Sequence, residues 1–75
     1  MARAESNLRA PIIEALIAAR KEKNLSQKQL EQLSGVKQQL IARVETGETN
    51  PQLETLLKIL APLGMTLAVV PKEDQ

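Results

Sequence analysis

LSQKQLEQLSGVKQQLIARVETG, running from Leu25 to Gly47, decides the fold. Ser26, with Gln29 three residues later, has the pattern of a capping box opening a short helix, with Leu30 and Leu33 expected to face inward. Gly35 then ends that helix in a left-handed conformation, and Ser34-Gly35-Val36 forms a tight turn. A second short helix is expected from about Lys37 to Thr46, stopped by Gly47. At roughly 100° per residue, its Leu40, Ile41 and Val44 fall on one arc, and Gln38, Gln39, Ala42, Arg43 and Thr46 on the opposite one. Such a pair suits insertion of the second helix into a major groove, where amide and guanidinium groups read base edges. Ala42 near the middle of the outer arc removes bulk and favours a close approach.

Outward from this pair, a preceding helix is expected to start near Pro11, a residue suited to a first turn, and to run to about Lys23. Its stripe is Ile12, Ile13, Leu16 and Ile17, and Asn24 can end it. Asn50-Pro51 reads as a cap and first-turn proline for a last helix carrying Leu53, Leu56, Leu57, Ile59 and Leu60. Pro62 ends or distorts that helix near Ala61, and Gly64 turns the chain. Met65, Thr66, Leu67, Ala68, Val69 and Val70 form an apolar, β-branched run that reads as a strand closed by Pro71. The expected organisation is a mobile arm over 1–9, a helical domain over 10–64, a strand over 65–71 and a charged tail over 72–75. The fold class expected is mainly α, with four to five helices and one short C-terminal strand.

Composition narrows the function. Seventy-five residues make one domain near the lower limit for a single core. Without Phe, Trp or Tyr, that core must be aliphatic, which favours an oligomer. No Cys and no His are present, which excludes disulfides, thiolate or imidazole metal sites and Ser-His or Cys-His nucleophile pairs; no cofactor is implied. Ser26 and Ser34 have capping and turn roles and no base to activate them, so an enzyme is not expected. The net charge is only +1, but residues 1–47 hold eight Lys/Arg against five Asp/Glu, and residues 48–75 hold two against four. Positive charge therefore accompanies the candidate reading segment. Arg3, Glu5 and Arg9 interrupt any signal-peptide apolar region, and the apolar stretch from Ile12 to Ala19 is too short to span a bilayer. A cytoplasmic, nucleoid-associated protein without membrane contact is expected.

The segment LSQKQLEQLSGVKQQLIARVETGETNPQLETLLKILAPLG resembles the Xre/Cro-type helix-turn-helix family, which includes the lambdoid phage repressors. The likeness rests on Gln after the cap, Gly-Val at the turn, Ile-x-x-Val-Glu-x-Gly closing the second helix of the pair and Asn-Pro-x-Leu-x-Thr-Leu beyond it, and it covers roughly residues 11–64. The continuation LGMTLAVVP looks like the HigA-like or HipB-like antitoxin branch, whose helices are followed by a short strand. Two positions depart from the family pattern: Glu31 stands where Ala is usual, and Lys37 where Ser or Thr caps the reading helix.

Residue by residue, Gln38 and Gln39 are the candidates for base readout, since glutamine can pair bidentately with adenine. Arg43, about one turn on, could reach guanine or a phosphate, and Leu40 is either core or a thymine-methyl contact. Gln27 is placed for a phosphate, a role the family resemblance also implies, and Lys28, Lys37, Thr46 and Thr49 are further DNA-backbone candidates. Arg20 continues the buried stripe of the first helix and Glu45 lies at the inner edge of the reading helix. Two opposite charges aimed inward should pair, because an unpaired buried charge is costly; the resemblance implies the same pair. Residues 65–70 find no second strand within the chain, so a two-fold axis pairing them with their copy is the simplest remedy, with Leu67 and Val69, or the alternate face, packed on the helices. The alternative is that they await a toxin's sheet edge. These readings converge on a homodimeric repressor of a palindromic operator in double-stranded DNA, as the antitoxin of an autoregulated toxin–antitoxin operon with a toxin partner. A phage or mobile-element regulator, or a protein-interaction module that leaves DNA alone, are the competing readings.

Overall fold

Leu16, Leu30, Ile41, Val44 and Ile59 are fully shielded from solvent in the computed structural model, which describes the backbone of residues 2–72 and the side chains of residues 9–72. They come from four helices: α1 (Ala2–Glu22), α2 (Gln27–Ser34), α3 (Gln38–Thr46) and α4 (Leu53–Leu60), the last continued by a 3₁₀ turn over Ala61–Leu63. Val36, Leu60 and Leu63 complete the core, and Ala19, Leu25, Leu40, Leu56 and Leu67 pack around it. α2 packs on α3 and α4, and α1 crosses to α3 and the 3₁₀ turn.

The short helices are delimited by their caps. Ser26 Oγ accepts the Gln29 N–H at 3.0 Å while Gln29 Oε1 accepts the Ser26 N–H at 2.8 Å, so the capping box is closed on both sides. Gly35 takes φ 80° and returns its N–H to Glu31 O, a left-handed conformation that costs a residue with a Cβ about 1–2 kcal/mol. Lys37 precedes α3 without a side-chain cap hydrogen bond, and Gly47 closes the helix at φ 82°. Asn24, at φ 59°, turns the chain after α1, and its short polar side chain tolerates that region.

Several expectations need correction. α1 starts at Ala2, so Pro11 lies inside the helix and not in its first turn. Ala, Glu, Leu and Arg dominate the sequence before Pro11; their helix propensity offsets the one backbone bond that proline forfeits. The backbone expected to be a mobile arm over 1–9 is thus helical from Ala2, while the side chains of residues 1–8 lie outside the described residues, as do residues 73–75 of the expected charged tail. Leu33 is 60% exposed. α2 ends one residue later, and Val36 beyond the turn takes the core position instead. Asn50 does not cap the last helix. α4 starts after Gln52, and Asn50 Oδ1 accepts a hydrogen bond from Arg9 Nη1 at 2.9 Å. Leu53, one of the apolar residues of that helix, is 63% exposed.

The expected strand over Met65–Val70 does not form. Residues 65–72 carry no regular secondary structure, and no strand occurs among the described residues. A strand exists through its ladder of backbone bonds, and one copy of this chain has no second β-prone run to pair with it. Met65 N–H is held by Leu60 O at 3.1 Å and Leu67 packs on the core, but Val69 is fully exposed, so the segment leaves the body after Leu67.

Candidate nucleic-acid interface

α3 is held by one face and displayed by the other. Ile41 and Val44 have no exposed surface, and the inward positions i and i+3 of a helix share a face. Gln38, Gln39, Arg43 and Thr46 are exposed on the outer face, with Ala42 half-buried among them. Among the described residues, Gln38, Gln39 and Arg43 make no side-chain hydrogen bond or ion pair within the chain. Leu40 is half-buried and packs on the core, without excluding a partner on its open side.

The candidate backbone contacts divide. Lys37 is exposed at the start of α3. Lys28 is exposed too, with its Nζ 3.7 Å from Glu31 Oε1 on the same helix. That spacing stabilises a helix by only about 0.2–0.5 kcal/mol, so the ammonium is readily redirected. Glu31, the departure from the family's small residue, is half-buried and answers Lys28. Thr46 Oγ1 donates to Arg43 O at 3.1 Å, spending its proton within α3. Thr49 lies half-buried in the α3–α4 connection.

Behind this face, Arg20 and Glu45 meet. Arg20 Nε donates to Glu45 Oε2 at 2.7 Å and Arg20 Nη2 to Glu45 Oε1 at 2.9 Å, a two-pronged pair whose side chains are 11% and 7% exposed. Arg20 Nη1 also donates to Leu25 O at 2.8 Å, fixing the turn between α1 and α2. Gln27 Nε2 donates to Glu45 Oε1 at 3.0 Å. One carboxylate therefore joins α1, α2 and α3. Burial of two charges is tolerable there because all three guanidinium nitrogens and both carboxylate oxygens are hydrogen-bonded.

Two contacts escaped the sequence reading. Gln27 was placed only toward a phosphate, and its inward bond depends on how α2 crosses α3. Arg9 was assigned to the arm, yet it reaches Asn50 across 41 positions of chain. The spacing Arg9, Ile13, Ile17 continues the stripe of α1 once Pro11 is admitted to the helix interior. Among the described residues no group of acids could hold a metal ion, and no helix is long and apolar enough to cross a membrane.

A helix-turn-helix family model matches residues 16–70. An uncharacterized HTH-type transcriptional regulator of Haemophilus influenzae is 67% identical over 67 residues, covering 89% of this chain and 68% of that protein. A solved structure described as a toxin–antitoxin module from Streptococcus pneumoniae superposes with a TM-score of 0.77 at 61% identity, covering 92% of this chain and 77% of its own. The matched span starts at the buried Leu16 of α1 and includes the turn at Gly35 and all of α3 and α4. Sequence, caps and packing agree with that match: the chain belongs to the helix-turn-helix family.

Proposed function

We propose that this protein is a sequence-specific DNA-binding transcriptional regulator that inserts α3 into the major groove. The observation that carries the reading is the row of exposed Gln38, Gln39 and Arg43 on a helix whose opposite face is fully buried. Amide and guanidinium groups displayed in this way match the donor and acceptor pattern of purine edges in the major groove. Gln27, Lys28, Lys37 and Thr49 contact the DNA backbone around it and set its register, while Thr46 would do so only by releasing Arg43 O. A purely protein-binding face would favour apolar or aromatic anchors, which the outer face of α3 does not offer. The relative's description as a transcriptional regulator supports this reading.

The protein acts as a homodimer on a palindromic operator. Met65–Val70 pairs antiparallel with its copy, converting two unpaired segments into a ladder. The exposed Val69 and Val70 support that contact, since apolar side chains in open solvent gain by burial. The biological role is that of an antitoxin which binds a toxin protein and represses its own operon, a reading supported by the toxin–antitoxin neighbour. Selection of bound duplexes from a random-sequence pool tests the proposal. Recovery of an inverted repeat with half-sites about 10–10.5 bp apart, or a multiple, is expected. Retention of no sequence above the starting pool would refute specific DNA binding.

A further inference from the structure

The Glu45 carboxylate accepts three hydrogen bonds: two from Arg20, at 2.7 and 2.9 Å, and one from Gln27 Nε2, at 3.0 Å. The first two are the ion pair. The third has a different consequence, because an ionised carboxylate is acceptor-only. Gln27 must therefore turn its amide nitrogen, and not its oxygen, toward Glu45.

We propose that Glu45 is a positioning residue for the DNA-backbone contact of Gln27. One Nε2–H of Gln27 is spent on Glu45 inside the corner, and the other is presented to a phosphate oxygen in a single orientation. Arg20 anchors the arrangement twice. Two of its nitrogens hold Glu45, and its third holds Leu25 O, two residues before Gln27. The side chain of Gln27 and the backbone leading into it are thus referenced to one guanidinium. Gln27 is half-buried and its amide is already bonded to Glu45, so much of the rotamer freedom that binding would otherwise remove is already gone. A buried ion pair behind the reading helix thereby acts on affinity for DNA as well as on stability. This inference rests on the DNA-binding reading given above.

A double-mutant cycle in DNA binding tests it, using Gln27→Ala, Glu45→Gln and the double variant. The probes are a duplex selected by the wild type and a random-sequence duplex. Gln27→Ala should weaken binding to both duplexes by a similar factor, about ten- to a hundredfold for one hydrogen bond to a charged acceptor. The salt dependence should stay unchanged, because no cation is removed. Glu45→Gln should produce a comparable loss, and the double variant should bind no worse than the weaker single variant. Arg43→Ala combined with Gln27→Ala should instead multiply, since those side chains act independently. If the factors for positions 27 and 45 multiply in a wild type that binds DNA, the positioning role is overturned and the DNA reading stands. A wild type that retains neither duplex overturns both. Should Glu45→Gln fail to fold, the wild type alone decides through NMR. The Gln27 side-chain amide should exchange with water more slowly than those of Gln38 and Gln39, and equal rates would overturn the proposal.

Discussion

The corner where α1, α2 and α3 meet and the segment beyond Gly64 treat burial in opposite ways. In the corner a guanidinium and a carboxylate are 11% and 7% exposed, while in the segment Val69 is fully exposed and Val70 71% exposed. Charges are inside and valines are outside. The corner tolerates its charges because Arg20, Glu45, Gln27 and Leu25 O satisfy one another within 3.0 Å. The segment has neither a ladder partner nor an apolar neighbour for its last valines. One region is satisfied within a single copy of the chain; the other leaves apolar side chains in solvent, as the proposed dimer would require.

Removing one charge from the corner should have the largest effect. Arg20→Ala and Glu45→Ala should each lower stability by roughly 3–5 kcal/mol, the range for leaving a buried charge unpaired. For a small domain this approaches the whole margin of folding. Urea and thermal melts of both variants and of the double variant measure it. A loss below about 1 kcal/mol would mean that the pair behaves like an exposed one, and fully additive losses would mean that the two side chains do not interact.

Truncation after Gly64 probes the other region and should leave the helical core folded. Sedimentation should show loss of the dimer, and affinity for the selected operator should fall about a hundredfold or more as two tethered half-site contacts become one. A truncated chain that sedimented as a dimer and bound normally would break the contrast, placing the dimer contact on the helices instead.

Effects on the outer face of α3 should be smaller and should depend on sequence. Gln38→Ala and Gln39→Ala should each cost about 1–3 kcal/mol on the selected operator and nearly nothing on random DNA, measured by titration at one salt concentration. Lys37→Ala should weaken binding to all duplexes alike and reduce the slope of log affinity against log salt by about 1. Lys28→Ala should behave similarly, since the Lys28 ammonium is only weakly held by Glu31. If all four variants behaved alike, readout would not belong to α3.

The smallest effect is expected from an exposed ion pair on α4. Lys58 Nζ lies 3.9 Å from Glu54 Oε2 along α4, with the two side chains 59% and 79% exposed. Lys58→Ala should change stability by under about 0.5 kcal/mol. A larger loss would show that solvent exposure alone does not separate this pair from the corner.

Much of the fold was legible because its signals are local. The capping box at Ser26 and Gln29 and the left-handed turns at Gly35 and Gly47 each depend on residues a few positions apart. Helical spacing likewise separated Ile41 and Val44 from Gln38, Gln39 and Arg43. Where the reading failed, packing had overridden a local signal. Asn50 has the composition of a cap, but Arg9 occupies its oxygen. Leu33 has the spacing of a core residue, but Val36 fills that place.

The sequence alone therefore determined the helix pair, its turn and the polar outer face of α3, since caps, glycine conformations and periodicity act through neighbouring backbone. It also determined that residues 65–70 would have no ladder partner within one copy, because no other β-prone run exists. Only the tertiary structure decided that Pro11 would sit within a helix begun at Ala2, and that the segment would leave the body after Leu67. It alone decided, too, that Gln27 would share a carboxylate with Arg20. That contact joins positions 18 apart on separate helices, and a hydrogen bond forms only where packing brings donor and acceptor to within about 3 Å.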